Sequence, residues 1–373
     1  MLVAQIAPLI AQEVLEVSMK FRRSLVALSI AATSVVGAMV APAQAANLNP
    51  DAVRGQVAPA TVHEGATPGL NPAWREKATG DRVVEMWAHS PSMNRDVPLV
   101  VLKAANPDRP TIYLLNGGDG GEGKANWVMQ TKALDFYRDK DVNVVIPMAG
   151  KFSYYTDWVS EAPSLGGKQN WETFLTKELP GPIERHLRAS NKRAIAGLSM
   201  SATSALVLAE HAQGFYDATG SFSGCAATSS PLTYHFLRLT LERGGATPEQ
   251  MWGPQGSEVN RYNDALINAE RLRGTEVYVS NNSGTVGKYD LPSSPRLAGN
   301  NPATIFATNL ITATEGGIIE AGTNMCTHDL KVKMDSLNIP ATFNFRNTGT
   351  HSWGYWEEDM VASWELFNMA FNK

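Results

Sequence analysis

The chain has 373 residues, enough for one large catalytic domain, because α/β folds commonly pass 250 residues as a single unit. Apolar residues make up 43% and charged residues 18%, an ordinary globular composition. A formal net charge of −4 leaves no basic footprint, so nucleic acid is excluded as an expected partner.

The first stretch does not read as part of the fold. Met19-Lys20-Phe21-Arg22-Arg23 is a basic n-region, residues 25–40 are an apolar h-region, and Ala43-Gln44-Ala45 fits the small-x-small cleavage rule. Residues 1–45 are therefore expected to be a signal peptide, with Met19 as the natural start and no transmembrane span left after cleavage. The competing reading is a membrane anchor, since the apolar run is nearly long enough to span. Pro42 and the cleavage site follow it at once, and no cysteine is placed there to carry a lipid. Residues 46–80, rich in Ala, Pro, Asn and Gly, read as an extended lead-in, and residues 81–373 as the catalytic domain.

Alternating sequence next predicts strands over 82–88 and 96–103, close enough to form an antiparallel hairpin. Short apolar strands are expected at 111–115, 142–147, 193–196, 218–222, 276–280 and 341–345. Helical stretches at 171–189, 200–212 and 303–313 separate them, and a last helix fits after residue 351. Such alternation predicts an α/β fold, a mostly parallel central sheet with helices on both faces. Its site should lie beyond the carboxyl ends of the strands.

Gly197-Leu198-Ser199-Met200-Ser201 lies where a strand gives way to a helix, the setting of a nucleophile elbow and hence of the α/β-hydrolase fold. Gly197 and Ser201 are small enough for so tight a turn, although the last position is usually Gly; a plain helix-capping serine is the bland alternative. A serine nucleophile needs a base, and His351 fits best, on a polar loop after the last strand. His63 and His89 come too early, while His186 and His211 sit on helices, where solvent exposure explains them. Asp290, Glu315, Glu320, Asp329 and Asp335 all remain possible acids. The Gly-rich run Asn116-Gly117-Gly118-Asp119-Gly120-Gly121 ends a strand where oxyanion amides are needed, and it lacks the signatures of a phosphate loop. In an exported protein Cys225 and Cys326 are expected to pair; free buried thiols are the alternative, and Cys326-Thr327-His328 lacks further ligands for a metal.

Several separated segments resemble the mycolyltransferases of the mycobacterial antigen 85 type and their corynebacterial relatives. They are residues 113–117 (YLLNG), 152–158 (FSYYTDW), 171–180 (WETFLTKELP), 197–200 (GLSM), 251–254 (MWGP) and 343–356 (FNFRNTGTHSWGYW), within a match over about residues 80–370. The resemblance implies Ser199 as nucleophile, His351 as base and Glu320 as acid, with Glu315 in reserve. It implies the amides of Gly118 and Met200 as the oxyanion hole, no cofactor and no metal. Asn116 would hydrogen-bond a sugar hydroxyl, Trp353 would line the sugar site, and apolar residues of 226–261 would cover an acyl chain. The implied activity is that of a secreted, cell-envelope serine acyltransferase of the trehalose mycolyltransferase and diacylglycerol acyltransferase type. It would move mycolyl groups from trehalose monomycolate to trehalose, cell-wall glycan or protein hydroxyls through an acyl-enzyme. The mycobacterial members carry Asp-Gly-Leu where this chain has Asn116-Gly117-Gly118, and their nearby Arg is missing, which bears on acceptor preference. The rival expectations are a secreted carboxylesterase and a wall-associated matrix-binding protein.

Overall fold

Nine strands form one mixed sheet: β1 (Thr61–Glu64), β2 (Val83–Ser90), β3 (Arg95–Leu102), β4 (Thr111–Leu115), β5 (Asn143–Pro147), β6 (Arg193–Leu198), β7 (Ala218–Phe222), β8 (Glu276–Asn281) and β9 (Thr342–Phe345). The structure is a computed structural model that describes residues 57–373; the expected signal peptide lies outside the described residues. The spatial order is β1-β2-β3-β5-β4-β6-β7-β8-β9. The first three strands run as an antiparallel meander, β3 pairs antiparallel with β5, and every pair from β5 to β9 is parallel. The mostly parallel α/β-hydrolase sheet is therefore present, opened by the expected hairpin.

The central strands are apolar on both faces because helices cover both. Tyr113, Leu115, Val145 and Ile195 belong to one core, and Ile112, Leu114, Val144, Ile146, Ala194 and Ala196 to the other. On the first face lie α1 (Pro180–Leu187), α2 (Met200–His211), α3 (Pro231–Glu242) and the end of a long helical arm. That arm comprises α4 (Pro302–Ile311), a π-helical turn (Thr312–Gly316) and α5 (Gly317–Ser336). The last helix, α6 (Trp353–Phe371), packs on the second face with the short helices around residues 127–138.

The fold departs from the sequence expectations in three places. The lead-in is not merely extended: β1 pairs with β2, and Trp74 on a 3-10 turn is fully buried, although most of its described residues are exposed. The helix expected over 171–189 is broken by a π-helical turn, Phe174–Glu178, before α1. Pro180 has no N–H to continue the ladder, and the Leu179 amide reaches five residues back to Phe174. Finally His211 is buried, not solvated: its ring bonds Glu172 and the Tyr262 carbonyl, each at 2.9 Å, and stacks on the Tyr262 ring.

Candidate active site

The Ser199 position is built by backbone constraint. Ser199 stands between β6 and α2 at φ 56° and ψ −122°, a conformation costly for a residue with a Cβ. Tight packing holds it there, because a Cβ on Gly197 would overlap the backbone and side chain of Ser201. Ser201, at the position usually held by Gly, accepts from the Leu198 amide at 3.0 Å and faces the Leu115 carbonyl at 3.2 Å. Its hydroxyl thus ties the elbow to β4 instead of crowding it.

Around the elbow the chain is strained again. Phe152, Tyr154 and Tyr155 all have φ between 46° and 51°. This loop links the two residues expected to supply oxyanion amides. The Phe152 amide donates to the Gly118 carbonyl at 2.9 Å, and the Tyr154 amide faces the Met200 sulfur at 3.4 Å. Ser204 donates to the Tyr154 carbonyl at 2.6 Å and fastens the loop to α2. Gly118 is half-buried, and Met200 opens α2, where the first amides have no helical acceptor. Nothing in the local sequence signals three left-handed residues in a row of aromatics; only the packing reveals them. Nearby, burial pushes the Asp119 carboxyl above its ordinary range, although the amides of Gly121 and Ala125 oppose the shift.

Fold-distant side chains meet Ser199. His351 Nε2 lies 2.7 Å from Ser199 Oγ, and His351 Nδ1 lies 2.7 Å from Glu320 Oε2. Glu320 is fully buried and the His351 side chain is 9% exposed, so their contact is shielded from bulk water, while Ser199 is half-buried. The other glutamate oxygen, Oε1, accepts from Ser223 Oγ at 2.8 Å, Asn281 Nδ2 at 2.8 Å and the Asn282 amide at 2.7 Å. Ser223 in turn accepts from the Trp356 indole at 2.9 Å, and the Trp356 ring meets His351 edge-on at 4.9 Å. A carboxylate so oriented by donors fixes the His351 tautomer with Nδ1–H toward it.

Of the five acids left open by sequence, Glu320 alone forms this bond. Glu315 sits on the π-helical turn, Asp329 is exposed, and Asp335 pairs with Lys331. Asp290 is buried but faces the residues beside His351, not its ring. Cys225 and Cys326 form a disulfide with S–S 2.03 Å, which ties the chain just past β7 to α5, the helix of Glu320.

Asn116 is a correction. It is fully buried; its Nδ2 donates to the Pro147 carbonyl at 2.8 Å and its Oδ1 accepts from the Trp127 amide at 3.0 Å. With both ends used internally, it braces the Gly-rich loop and presents nothing to a sugar. Trp353 is half-buried and packs edge-on against Trp127 and Trp356. In the stretch expected to cover an acyl chain, Leu237 and Met251 are core residues, whereas Leu232 is exposed and Phe236 half-buried. Sequence reasoning missed Ser223, Asn281, Asn282 and Trp356. The polar run Asn281-Asn282-Ser283-Gly284 at a strand's carboxyl end is the one signal that was available.

Residues 90–366 match the model of the "Putative esterase" family. The chain is 33% identical over 310 residues to the diacylglycerol acyltransferase/mycolyltransferase Ag85A of Mycobacterium tuberculosis, covering 80% of this chain and 84% of that protein. It is 31% identical over 279 residues to Ag85B of Mycobacterium leprae, covering 73% and 79%. Among solved structures, MPT51 (FbpC1) of Mycobacterium tuberculosis superposes with a TM-score of 0.59 at 23% identity, over 75% of this chain and 95% of the other. An S-formylglutathione hydrolase from Agrobacterium tumefaciens gives 0.56 at 14% identity, over 79% and 97%. The two structural likenesses speak for the fold.

Proposed function

The chain belongs to the "Putative esterase" family and, within it, to the antigen 85-type mycolyltransferases; from that premise we propose that it is a secreted serine acyltransferase. It moves mycolyl groups from trehalose monomycolate to trehalose, cell-wall glycan or protein hydroxyls through an acyl-enzyme. The observation that carries the reading is the unbroken relay from Glu320 through His351 to Ser199, with both contacts at 2.7 Å. The N-terminal sequence supports export. Among the described residues no helix is long and apolar enough to cross a membrane.

In this reading Ser199 Oγ attacks the ester carbonyl of the donor while His351 Nε2 takes its proton. The carbonyl oxygen, now an anion, is met by the amides of Gly118 and Met200. Collapse expels the trehalose oxygen, which leaves with the proton from His351, and the mycolyl group stays on Ser199. An acceptor hydroxyl then attacks in the mirror sequence. Glu320, anchored by three donors, stabilises the imidazolium at both stages without taking the proton.

A secreted carboxylesterase, in which water ends the cycle, is the second reading. The burial of Asn116 favours it, since the polar group expected to greet a sugar hydroxyl is sealed away. Matrix binding as the sole role would leave the relay without a purpose. The test is mass spectrometry of the mature protein with trehalose monomycolate, beside Ser199→Ala. An adduct on Ser199 that yields trehalose dimycolate is the expected result. An adduct that yields only free mycolic acid moves the function to the esterase, and no adduct overturns the acyl-enzyme.

A further inference from the structure

We propose that Asp290 is a positioning residue for the general base, a buried anionic hub that fixes the backbone on both sides of His351. The inference rests on the acyl-enzyme reading of Ser199, His351 and Glu320. Asp290 lies in the loop between β8 and α4 and is 2% exposed. Its Oδ2 accepts from the amides of Gly287 at 2.9 Å and Thr350 at 3.2 Å and from the Tyr355 hydroxyl at 2.8 Å. Its Oδ1 accepts from the Thr350 hydroxyl at 2.8 Å and the Ser352 hydroxyl at 3.0 Å. Thr350 and Ser352 are the two neighbours of His351 in the chain. The amide of His351 itself donates to the Gly316 carbonyl at 3.1 Å. Three consecutive residues are thereby pinned, and two of the three attachments run through one carboxylate.

Only a carboxylate serves here. Among the described residues Asp290 has no cationic partner, so five N–H and O–H donors carry its charge. An ionised carboxyl is acceptor-only, with about four lone-pair sites, and its bonds are stronger than those of a neutral acceptor. Asn at this position would turn an NH2 group toward donors and lose the hub. The same residue reaches outward too, since its carbonyl accepts from Asn309 of α4 at 2.5 Å. The need for such a hub follows from the geometry of transfer. His351 must keep Nδ1 on Glu320 while Nε2 serves first Ser199 and then the leaving oxygen. Displacement of a reacting group by about 1 Å costs on the order of 100-fold in rate.

The experiment measures the rate of Ser199 labelling by a fluorophosphonate and the kinetics of a soluble ester in the full chain. The downfield proton resonance of the His351 ring is followed in the same samples. The variants are Asp290→Asn, Ser352→Ala, Thr350→Val and Thr350→Ser. We expect Asp290→Asn to slow labelling roughly 30- to 100-fold, with kcat falling and KM nearly constant, because Asp290 touches no substrate. Ser352→Ala and Thr350→Val should each cost a few-fold and broaden the His351 resonance. Thr350→Ser, which keeps the hydroxyl, should restore both. If Asp290→Asn does not fold, Ser352→Ala and the Thr350 pair decide. Wild-type labelling and an unchanged resonance in the folded variants overturn the proposal. Failure of the wild type itself to label overturns the acyl-enzyme reading instead, and the resonance still reports on Asp290.

Discussion

The two halves of the candidate site are held by different physics. On the nucleophile side, Ser199, Gly118 and Met200 are placed by backbone: a tight elbow, a Gly-rich loop and three residues of positive φ at 152–155. On the acid–base side, Glu320 is placed by hydrogen bonds from the Ser223 hydroxyl, the Asn281 side chain and the Asn282 amide, while Thr350 and Ser352, the neighbours of His351, donate to Asp290. The first half tolerates little change in size, because steric overlap rises steeply. The second is sensitive above all to loss of a donor or acceptor, because a buried charge left short of partners is expensive.

Two buried glutamates make the contrast concrete. Glu320 has donors on both oxygens, whereas Glu210 on α2 is buried with neither oxygen hydrogen-bonded among the described residues. Burial pushes the Glu210 carboxyl well above its ordinary range; the Arg271 charge opposes this and Asp264 reinforces it.

The largest effect should come from the acid–base half. Glu320→Gln keeps shape but supplies a donor where His351 needs an acceptor, and should cut the rate of acyl transfer about 10⁴-fold, as an Asp-to-Asn change does in a serine protease triad. Stopped-flow acylation with the melting temperature alongside checks it; a loss below tenfold in a well-folded variant would mean that Glu320 does not orient the base. Next comes Gly197→Ala on the nucleophile side. One methyl group forced against Ser201 should destabilise the fold by about 1–3 kcal/mol and abolish labelling of Ser199. Chemical denaturation measures the first, and unchanged stability would show that the elbow is looser than its packing indicates.

Glu210→Gln gives the smallest effect and the opposite sign. A carboxyl whose pKa is raised in the folded state contributes stability that is fully present below its unfolded value of about 4.5. That contribution is lost as pH climbs toward the folded pKa. The neutral amide escapes this loss, so the variant should be more stable than the parent at pH 8 and equal to it near pH 4. Melting temperatures at the two pH values test the crossing.

Much of the fold was legible in the chain. The hairpin, the apolar parallel strands and α2 follow from periodicity, and the elbow at Ser199 follows from small residues between a strand and a helix. His351 could be located by its loop and its place after the last strand. Glu320 could not be chosen from the five acids on those grounds, and only the resemblance to a family singled it out. Asn116 and His211 were misjudged for one shared reason: a polar residue looks solvated until its buried partners, Pro147 and Trp127 or Glu172 and Tyr262, are known.

By itself, then, the sequence determined what depends on near neighbours. The alternation that makes strands and the small residues that permit the elbow are both written within a dozen positions. Tertiary structure alone decided which acid meets His351, what Asn116 bonds, and that Asp290 clasps both sides of the base. All of them but the Asn116–Trp127 bond join residues 31 to 62 positions apart. A hydrogen bond leaves no local trace in a chain when its two ends are brought together only by the packing of everything between them.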